Sequence, residues 1–136
     1  MIEEKIYSRS DAPVKVQEWK AAGLTVVFTN GCFDLIHAGH VRYLEQAHKL
    51  GDKLVVGLND DCSVTALKGP QRPIQKVTDR AAILAAFESV DMVVVFSELT
   101  TDSLLQEIRP DIMAKGGDYT METLVASERE LVVSYG

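Results

Sequence analysis

The sequence predicts an α/β protein in which a doubly wound parallel sheet lies between two layers of helices, a three-layer α/β/α arrangement. Short, continuously apolar segments alternate along the chain with segments of helical periodicity, which is typical of parallel strands buried on both faces. The 136 residues contain no internal repeat, no low-complexity stretch and no long linker. We therefore expect a single domain over residues 1–136.

Four apolar segments rich in β-branched residues are predicted to be strands. They are residues 24–29 (LTVVFT), 53–59 (KLVVGLN), 92–96 (MVVVF) and 111–115 (DIMAK). In parallel sheets of this kind, ligands bind at the carboxyl ends of the strands, near the point where the strand order reverses. Polar residues that follow these four segments are therefore the candidates for a functional site.

Five segments have the spacing and the end signals of helices. They are residues 13–22, 39–50, 78–88, 101–108 and 123–135, although residues 131–133 (LVV) in the last segment also fit a strand. Pro13 suits a first helical turn, and Gly23 and Gly51 suit positions just beyond a helix. The side chains expected to face the core are Val41, Leu44 and Ala47 or His48 in the second helix, and Ile83, Leu84 and Phe87 in the third.

The composition argues against several classes of function. A net charge of −6 disfavours a broad nucleic-acid-binding surface, which would be basic. No apolar run approaches the roughly 18 residues of a membrane span, and the charged residues 1–5 (MIEEK) form no apolar signal core. Cys32 and Cys62 form no disulfide framework and are expected to be free thiols. We expect a cytoplasmic protein without nucleic-acid or membrane partners.

The first polar cluster covers residues 29–40 (TNGCFDLIHAGH), which follow the first strand and open the next helix. A helix N-terminus carries backbone amides and a partial positive charge that attract phosphate. His37 and His40 flank Gly39 there, and both imidazoles could donate hydrogen bonds to phosphate oxygens. A glycine costs a helix about 1 kcal/mol relative to alanine, and close approach of a ligand to the backbone would explain that cost.

Other interpretations of this segment are weaker. A zinc site could use Cys32, His37 and His40, but no fourth ligand with zinc-like spacing is evident. Cys32 could be a covalent nucleophile, but phosphoryl transfer depends mainly on positioning and charge stabilisation. Two ordinary polar residues at a helix start would not need a glycine between them. The sequence therefore predicts a phosphate-binding loop and no metal ligands.

Cations and glycines follow two further predicted strands. Lys68 and Arg72 lie on a loop shaped by glycine and proline, which next to a phosphate site could close over the ligand. Arg80 lies at a helix start, where the dipole disfavours a cation, so we expect an external anionic partner or simple solvent exposure. Residues 115–119 (KGGDY) combine paired glycines with a lysine and a tyrosine, which favours a nucleotide pocket over a plain turn.

The run from Asn30 to His40, with a His-x-Gly-His signature at residues 37–40, resembles the cytidylyltransferase-like nucleotidyltransferase superfamily. The resemblance implies a Rossmann-like sheet of the nucleotidyltransferase type. It also implies that the two histidines bind a triphosphate and stabilise the transition state.

The remaining clusters resemble the heptose-1-phosphate adenylyltransferase branch of that superfamily, either a stand-alone enzyme or the C-terminal domain of a bifunctional ADP-heptose synthase. They are residues 59–61 (NDD), 67–69 (LKG), 72–74 (RPI), Arg80 and 115–119 (KGGDY). The branch implies transfer of AMP from ATP to heptose 1-phosphate, with Mg²⁺ bridging the phosphates, in a homodimer that supplies a bacterial surface glycan such as lipopolysaccharide. Members usually continue with a strand and a Ser/Thr-rich signature, and we expect this domain to lack both because the sequence stops at Gly136.

The resemblance assigns roles to three groups of residues. The expected catalytic residues are His37, His40, Lys68 and Arg80. The expected nucleotide-binding residues are Asn30, Gly31, Cys32, Phe33, Asp34, Gly39, Lys115, Gly116, Gly117 and Asp118, among which Asp34 could also support the loop. The expected substrate-binding residues are Asn59, Asp61, Arg72 and Tyr119.

Three alternatives remain open at this point. The same chemistry could join CTP to glycerol 3-phosphate, or ATP to FMN or another phosphorylated acceptor. A chain without the Ser/Thr-rich signature could be a non-catalytic nucleotide-binding or regulatory module. A plain structural partner domain is the third alternative, and the glycines and cations at the strand ends argue against it.

Overall fold

The computed structural model of the protein describes residues 1–114. The strands are β1 (Ile6–Tyr7), β2 (Val26–Gly31), β3 (Lys53–Asn59), β4 (Met92–Phe96) and β5 (Ile112–Met113). The helices are α1 (Asp11–Ala21), α2 (Ala38–His48), α3 (Asp61–Lys68), α4 (Val77–Ala85) and α5 (Asp102–Ile108), and a short 3-10 helix (Ile2–Lys5) precedes β1. The helix predicted for residues 123–135 lies outside the described residues.

The five strands form one parallel sheet in the order β1-β4-β3-β2-β5. From β2 the chain first adds β3 and β4 on one side and later adds β5 on the other side. The strand order therefore reverses between β2 and β5, where an open parallel sheet of this kind has its ligand crevice. The predicted doubly wound sheet is confirmed.

Each face of the sheet is covered by two helices. On one face, Leu44 of α2 and Leu84 of α4 pack with Val56 and Val93 of the central strands. On the other face, α1 and α5 pack against alternate residues of the same strands, with Val16 and Leu104 fully buried. Successive residues of each strand face opposite sides of the sheet, and both sides are buried. The strands therefore appear in the sequence as continuous apolar runs.

The 3-10 helix at Ile2–Lys5, strand β1 and helix α3 were not predicted. Strand β1 has only two residues, too short for an apolar pattern to be visible. Helix α3 occupies part of the segment that the sequence indicated as a loop. Its start is marked by Asp60, whose side chain accepts the Ser63 amide at 2.8 Å, and its end by Gly69 at a φ of 108°.

The predicted bounds and faces were correct for some elements and wrong for others. Strands β3 and β4 have the predicted bounds, whereas β2 begins two residues later than predicted and β5 is shorter. Leu44, Ala47 and Leu84 are buried as predicted, but Val41 is 44% exposed, and Ile83 and Phe87 are only partly buried. No helix within residues 1–114 has the length and apolar composition needed to cross a membrane.

Candidate active site

The loop between β2 and α2 leaves the sheet beside the point where the strand order reverses. Phe33 and Leu35 in this loop have φ angles of 47° and 60°, a region that non-glycine residues rarely adopt. The Phe33 ring packs over Gly31, where an added Cβ would lie 2.9 Å from the ring atom Cε2. A glycine is therefore needed at position 31, because a larger residue would collide with the Phe33 ring.

His37 and His40 cap the start of α2 together. His37 Nδ1 accepts a hydrogen bond from the Gly39 amide at 3.0 Å, and His40 Nδ1 accepts one from the His37 amide at 3.1 Å. The two ring centroids lie 4.0 Å apart. Because each Nδ1 accepts an amide proton, each neutral ring must carry its own proton on Nε2. The pair therefore presents two Nε2–H donors.

The same arrangement explains Gly39 differently from the sequence argument. A Cβ at this position would lie 2.8 Å from Cε1 of the His37 ring. The glycine makes room for an imidazole of the protein itself, so close approach of a ligand is not needed to account for it. The amides of His37 and Gly39 are also engaged by the two rings, which corrects the expectation that they are available to phosphate.

His40 is the more enclosed of the two histidines. Burial and the nearby charge of His37 lower the pKa of His40 below its ordinary value of 6.5. The neutral form of His40 is therefore favoured near neutral pH. This agrees with its role as acceptor for the His37 amide, which a ring protonated on both nitrogens could not fill.

Asp34 joins the β2–α2 loop to the segment that precedes α4. Its side chain is only 4% exposed. Its two oxygens accept the amides of Ile74 at 2.8 Å and Gln75 at 3.0 Å, and Arg72 Nη1 lies 3.4 Å away. Burial opposes ionisation of Asp34, but these two hydrogen bonds and the Arg72 charge outweigh it, so the pKa is lowered. Asp34 thus links the β2–α2 loop to the backbone of residues 74 and 75.

Arg80 has internal partners rather than the external anion or solvent expected from the sequence. Its side chain is fully buried. Nη1 donates to the carbonyls of Cys32 at 2.7 Å and Asn59 at 2.8 Å, Nη2 donates to Asp61 Oδ1 at 2.8 Å, and Nε donates to the Gln75 carbonyl at 2.9 Å. The helix dipole does not exclude this cation because acceptors from four separate positions surround it.

Asn59 and Asp61 also serve the internal structure. Asn59 is buried, and its side-chain nitrogen lies 3.3 Å from Ser63 Oγ, so the structure does not bring it to an open surface. Asp61 Oδ1 accepts both from Arg80 and from the Val77 amide at 2.9 Å, while 43% of its side chain is exposed. Of the two, only Asp61 retains surface accessible to a substrate.

Several cations lie around Cys32 at the carboxyl edge of the sheet. Burial raises the pKa of the Cys32 thiol, and the charges of Lys68, Arg80 and Arg72 oppose that shift. Lys68 is exposed at the last position of α3, a helix end rather than the predicted loop. Arg72 contacts the loop through Asp34, and the charge of Lys68 acts on Cys32 in the same loop.

A groove of about 480 Å³ lies beside His37. Its walls include Leu35, Val41, Ile83 and Phe87, and Gln75 lines it as well. Val41, Ile83 and Phe87, which were predicted to face the core, line this groove instead of being fully buried.

Other predicted site residues are near this loop or outside the described residues. Asn30 lies within β2, and the Ala114 amide donates to the Phe28 carbonyl at 2.8 Å, so the described chain ends beside β2. The predicted residues outside residues 1–114 are Lys115, Gly116, Gly117, Asp118 and Tyr119. Within residues 1–114, no three His, Cys, Asp or Glu side chains group into a possible metal site.

Two residues of the site were missed from the sequence. The Tyr43 hydroxyl lies 2.6 Å from Thr29 Oγ1 and ties α2 to β2 one residue before Asn30. Its position three residues after His40 on one helix face was a usable signal. Gln75 is held through its amide, its carbonyl and its side chain, whose Oε1 accepts the Leu35 amide at 3.3 Å. No local pattern marked Gln75, since its partners in the β2–α2 loop, Asp34 and Leu35, are about forty residues away in the chain.

The chain is similar to known proteins over most of its length. The cytidylyltransferase-like family model matches residues 28–135. The bifunctional protein HldE of Caulobacter vibrioides is 53% identical over 134 residues, which are 98% of this chain and 27% of that protein. The bifunctional protein HldE of Methylobacillus flagellatus is 54% identical over 122 residues, 90% of this chain and 25% of that protein. The chain thus spans about a quarter of the length of these curated relatives.

Among solved structures, the lipopolysaccharide core biosynthesis protein from Thermoplasma volcanium GSS1 superposes with a TM-score of 0.69. Its sequence is 30% identical, and the match covers 82% of this chain and 88% of that one.

Proposed function

Because the chain belongs to the cytidylyltransferase-like family, we propose that it transfers AMP from ATP to a sugar 1-phosphate, heptose 1-phosphate, giving ADP-heptose and pyrophosphate. The observation that carries the proposal is the pair of Nε2–H donors on His37 and His40, held at the carboxyl edge where the strand order reverses. The choice of heptose rests on the sequence resemblance and on the similarity to the HldE proteins and the lipopolysaccharide core biosynthesis protein.

The reaction needs no covalent intermediate. A phosphate oxygen of the sugar 1-phosphate attacks the α-phosphorus of ATP, and the bond from that phosphorus to the bridging oxygen breaks as pyrophosphate leaves. Negative charge spreads over the phosphate oxygens in the transition state. Two fixed donors aimed at those oxygens stabilise that charge, and loss of one such donor typically lowers kcat by about 10²–10³.

Cations near the loop would neutralise the rest of the triphosphate. Lys68 is exposed at the end of α3, and Arg72 keeps part of its side chain exposed while pairing with Asp34. Mg²⁺ supplies further charge neutralisation when it is bound. Both Asp34 oxygens are engaged and no three-residue metal cluster exists within residues 1–114, so phosphate oxygens and water would provide most of its ligands.

The remaining assignments extend the proposal. Residues 115–118 would bind the nucleotide and Tyr119 the sugar phosphate, with Asp118 near the base or ribose. We also propose a cytoplasmic homodimer that supplies activated heptose for lipopolysaccharide. Light scattering of the purified chain tests the dimer, and a monomer mass at every concentration would contradict it.

Pyrophosphate release with Mg²⁺ tests the reaction. ATP and CTP are each combined with heptose 1-phosphate and with glycerol 3-phosphate. Release only from ATP with heptose 1-phosphate, lost in His40→Ala, supports the proposal. Release from CTP with glycerol 3-phosphate contradicts it and favours the cytidylyl reaction. His48→Ala is the matched control, because this third histidine lies at the opposite end of α2.

If no combination of substrates releases pyrophosphate, the proposal that this chain is an enzyme for them is wrong. Thermal unfolding with and without ATP then separates the remaining alternatives. A ligand at 100 times its Kd stabilises the folded state by about 2.7 kcal/mol. Stabilisation by ATP without turnover indicates a nucleotide-binding module, and no effect of ATP indicates a structural domain.

A further inference from the structure

Arg80 connects the loop between β2 and α2, residues 32–37, with three other parts of the chain. We call this loop the histidine loop because it leads to His37 and His40. The acceptors of Arg80 are Cys32 in the loop after β2, Asn59 at the end of β3, Asp61 in the first turn of α3, and Gln75 before α4. The Arg80 side chain is fully buried, and its guanidinium donates four hydrogen bonds to other groups of the protein. An arginine engaged in this way has no surface with which to contact a triphosphate in the crevice.

The bond from Arg80 to Cys32 acts on the segment that carries the histidines. Only four residues lie between Cys32 and His37, and two of them, Phe33 and Leu35, have positive φ angles. Such angles persist when tertiary contacts hold the backbone in place. The Gln75 backbone reinforces the arrangement, because its carbonyl accepts from Arg80 and its amide donates to Asp34 of the same loop.

We propose that Arg80 is a positioning residue, which fixes the loop through the Cys32 carbonyl so that His37 and His40 hold their Nε2–H donors in place. It acts through the histidines and does not contact substrate. The kinetic consequence of this inference rests on the proposed function, whereas the geometric consequence for the two rings does not. A displacement of catalytic groups by about 1 Å can cost about 10² in rate.

Long-range ¹H–¹⁵N NMR spectra of the three histidines test the geometric consequence without any turnover. In the wild-type chain we expect His37 and His40 as Nε2–H tautomers. Arg80→Lys keeps the charge but cannot reproduce the planar fork, so both signals should move toward a mixture of tautomers. His48, which lies 3.2 Å from Asp91 at the other end of α2, should not change. Unchanged His37 and His40 signals would overturn the proposal.

Two further variants keep this test decisive. Arg9→Lys is the matched control, because Arg9 is also held by carboxylates, those of Glu98 and Glu107, but contacts no part of the histidine loop. It should leave the His37 and His40 signals as in the wild type. If Arg80→Lys does not fold, Asp61→Ala removes the Nη2 acceptor at a part-exposed position, and it must shift the same two signals.

Steady-state kinetics test the second consequence. Arg80→Lys should lower kcat by about tenfold or more while the KM for ATP stays within about threefold of the wild type. A rise in KM with kcat maintained would indicate direct contact with ATP and would overturn the proposal. A lower Tm with wild-type kcat in the folded enzyme would also overturn it. An inactive wild type refutes the proposed function but leaves the NMR comparison valid.

Discussion

His40 accepts the backbone amide of His37 through Nδ1 at 3.1 Å, and the two rings lie 4.0 Å apart. The histidines therefore have two tasks at the start of α2. Their Nδ1 atoms satisfy amides that the helix leaves without partners, and their Nε2–H groups are the donors that the proposed reaction would use.

Replacement of His37 by asparagine should separate capping from catalysis. Asparagine is a preferred N-cap residue and can accept the Gly39 amide, so the free energy of unfolding should change by less than about 0.5 kcal/mol. The variant lacks the Nε2–H donor, so kcat for pyrophosphate release should fall by about 10²–10³. Chemical denaturation and steady-state kinetics measure the two quantities. Retained kcat in His37→Asn would show that this donor is dispensable.

Stability should depend on pH through His40. Its pKa in the folded state is lowered from 6.5, so the unfolded chain binds this proton first as the pH falls. The contribution of His40 is complete above its ordinary pKa and is lost as the pH falls through its folded pKa. Urea unfolding between about pH 5 and pH 8 should show this loss in the wild type but less of it in His40→Gln. Equal slopes in both proteins would contradict the prediction.

Gly39→Ala should lower activity although it replaces a helical glycine. Such a change normally stabilises a helix by about 1 kcal/mol, but here the new Cβ would displace the His37 ring, 2.8 Å away. We expect little net gain in stability and a loss of kcat. In a His37→Ala background the obstacle is gone, and Gly39→Ala should then stabilise the protein by the full amount. Thermal unfolding of the four proteins tests this coupling.

Asp34→Asn should loosen the loop and reduce acid sensitivity. Loss of the charge weakens the bonds to the Ile74 and Gln75 amides, which should cost about 1–2 kcal/mol at neutral pH. The folded pKa of Asp34 is lowered, so its contribution is present above the ordinary value of 3.8 and lost as the pH falls through the folded pKa. Urea unfolding at several acidic pH values measures this loss, which Asp34→Asn should not show.

Asp52→Asn is the matched control for that prediction. Asp52 also accepts a backbone amide, that of Thr25 at 2.7 Å, but at the start of β2 rather than at its carboxyl end. It should lower stability without lowering kcat, whereas Asp34→Asn should lower both. Equal kcat for the two variants would show that the loop held by Asp34 does not affect the reaction.

Residues of the two cores could be predicted from the sequence wherever the local hydrophobic pattern matches their burial in the structure. Strands β3 and β4 are buried on both faces, so unbroken apolar runs marked their bounds. Val41 shows the limit of that argument, because its helical position predicts burial, whereas in the structure it lines a groove and is 44% exposed. Helix α3 was missed because its eight residues lack an extended apolar stripe.

The sequence by itself determined the doubly wound sheet, the start of α2 after β2, and the proximity of His37 and His40. All of these depend on strand and helix periods or on contacts within four residues, which the chain order fixes. Only the tertiary structure decided that Arg80 is enclosed by Cys32, Asn59 and Asp61, and that Asp34 holds residues forty positions away. A charged side chain has the same local pattern whether water or buried carbonyls surround it, so its partners depend on how the crossovers pack.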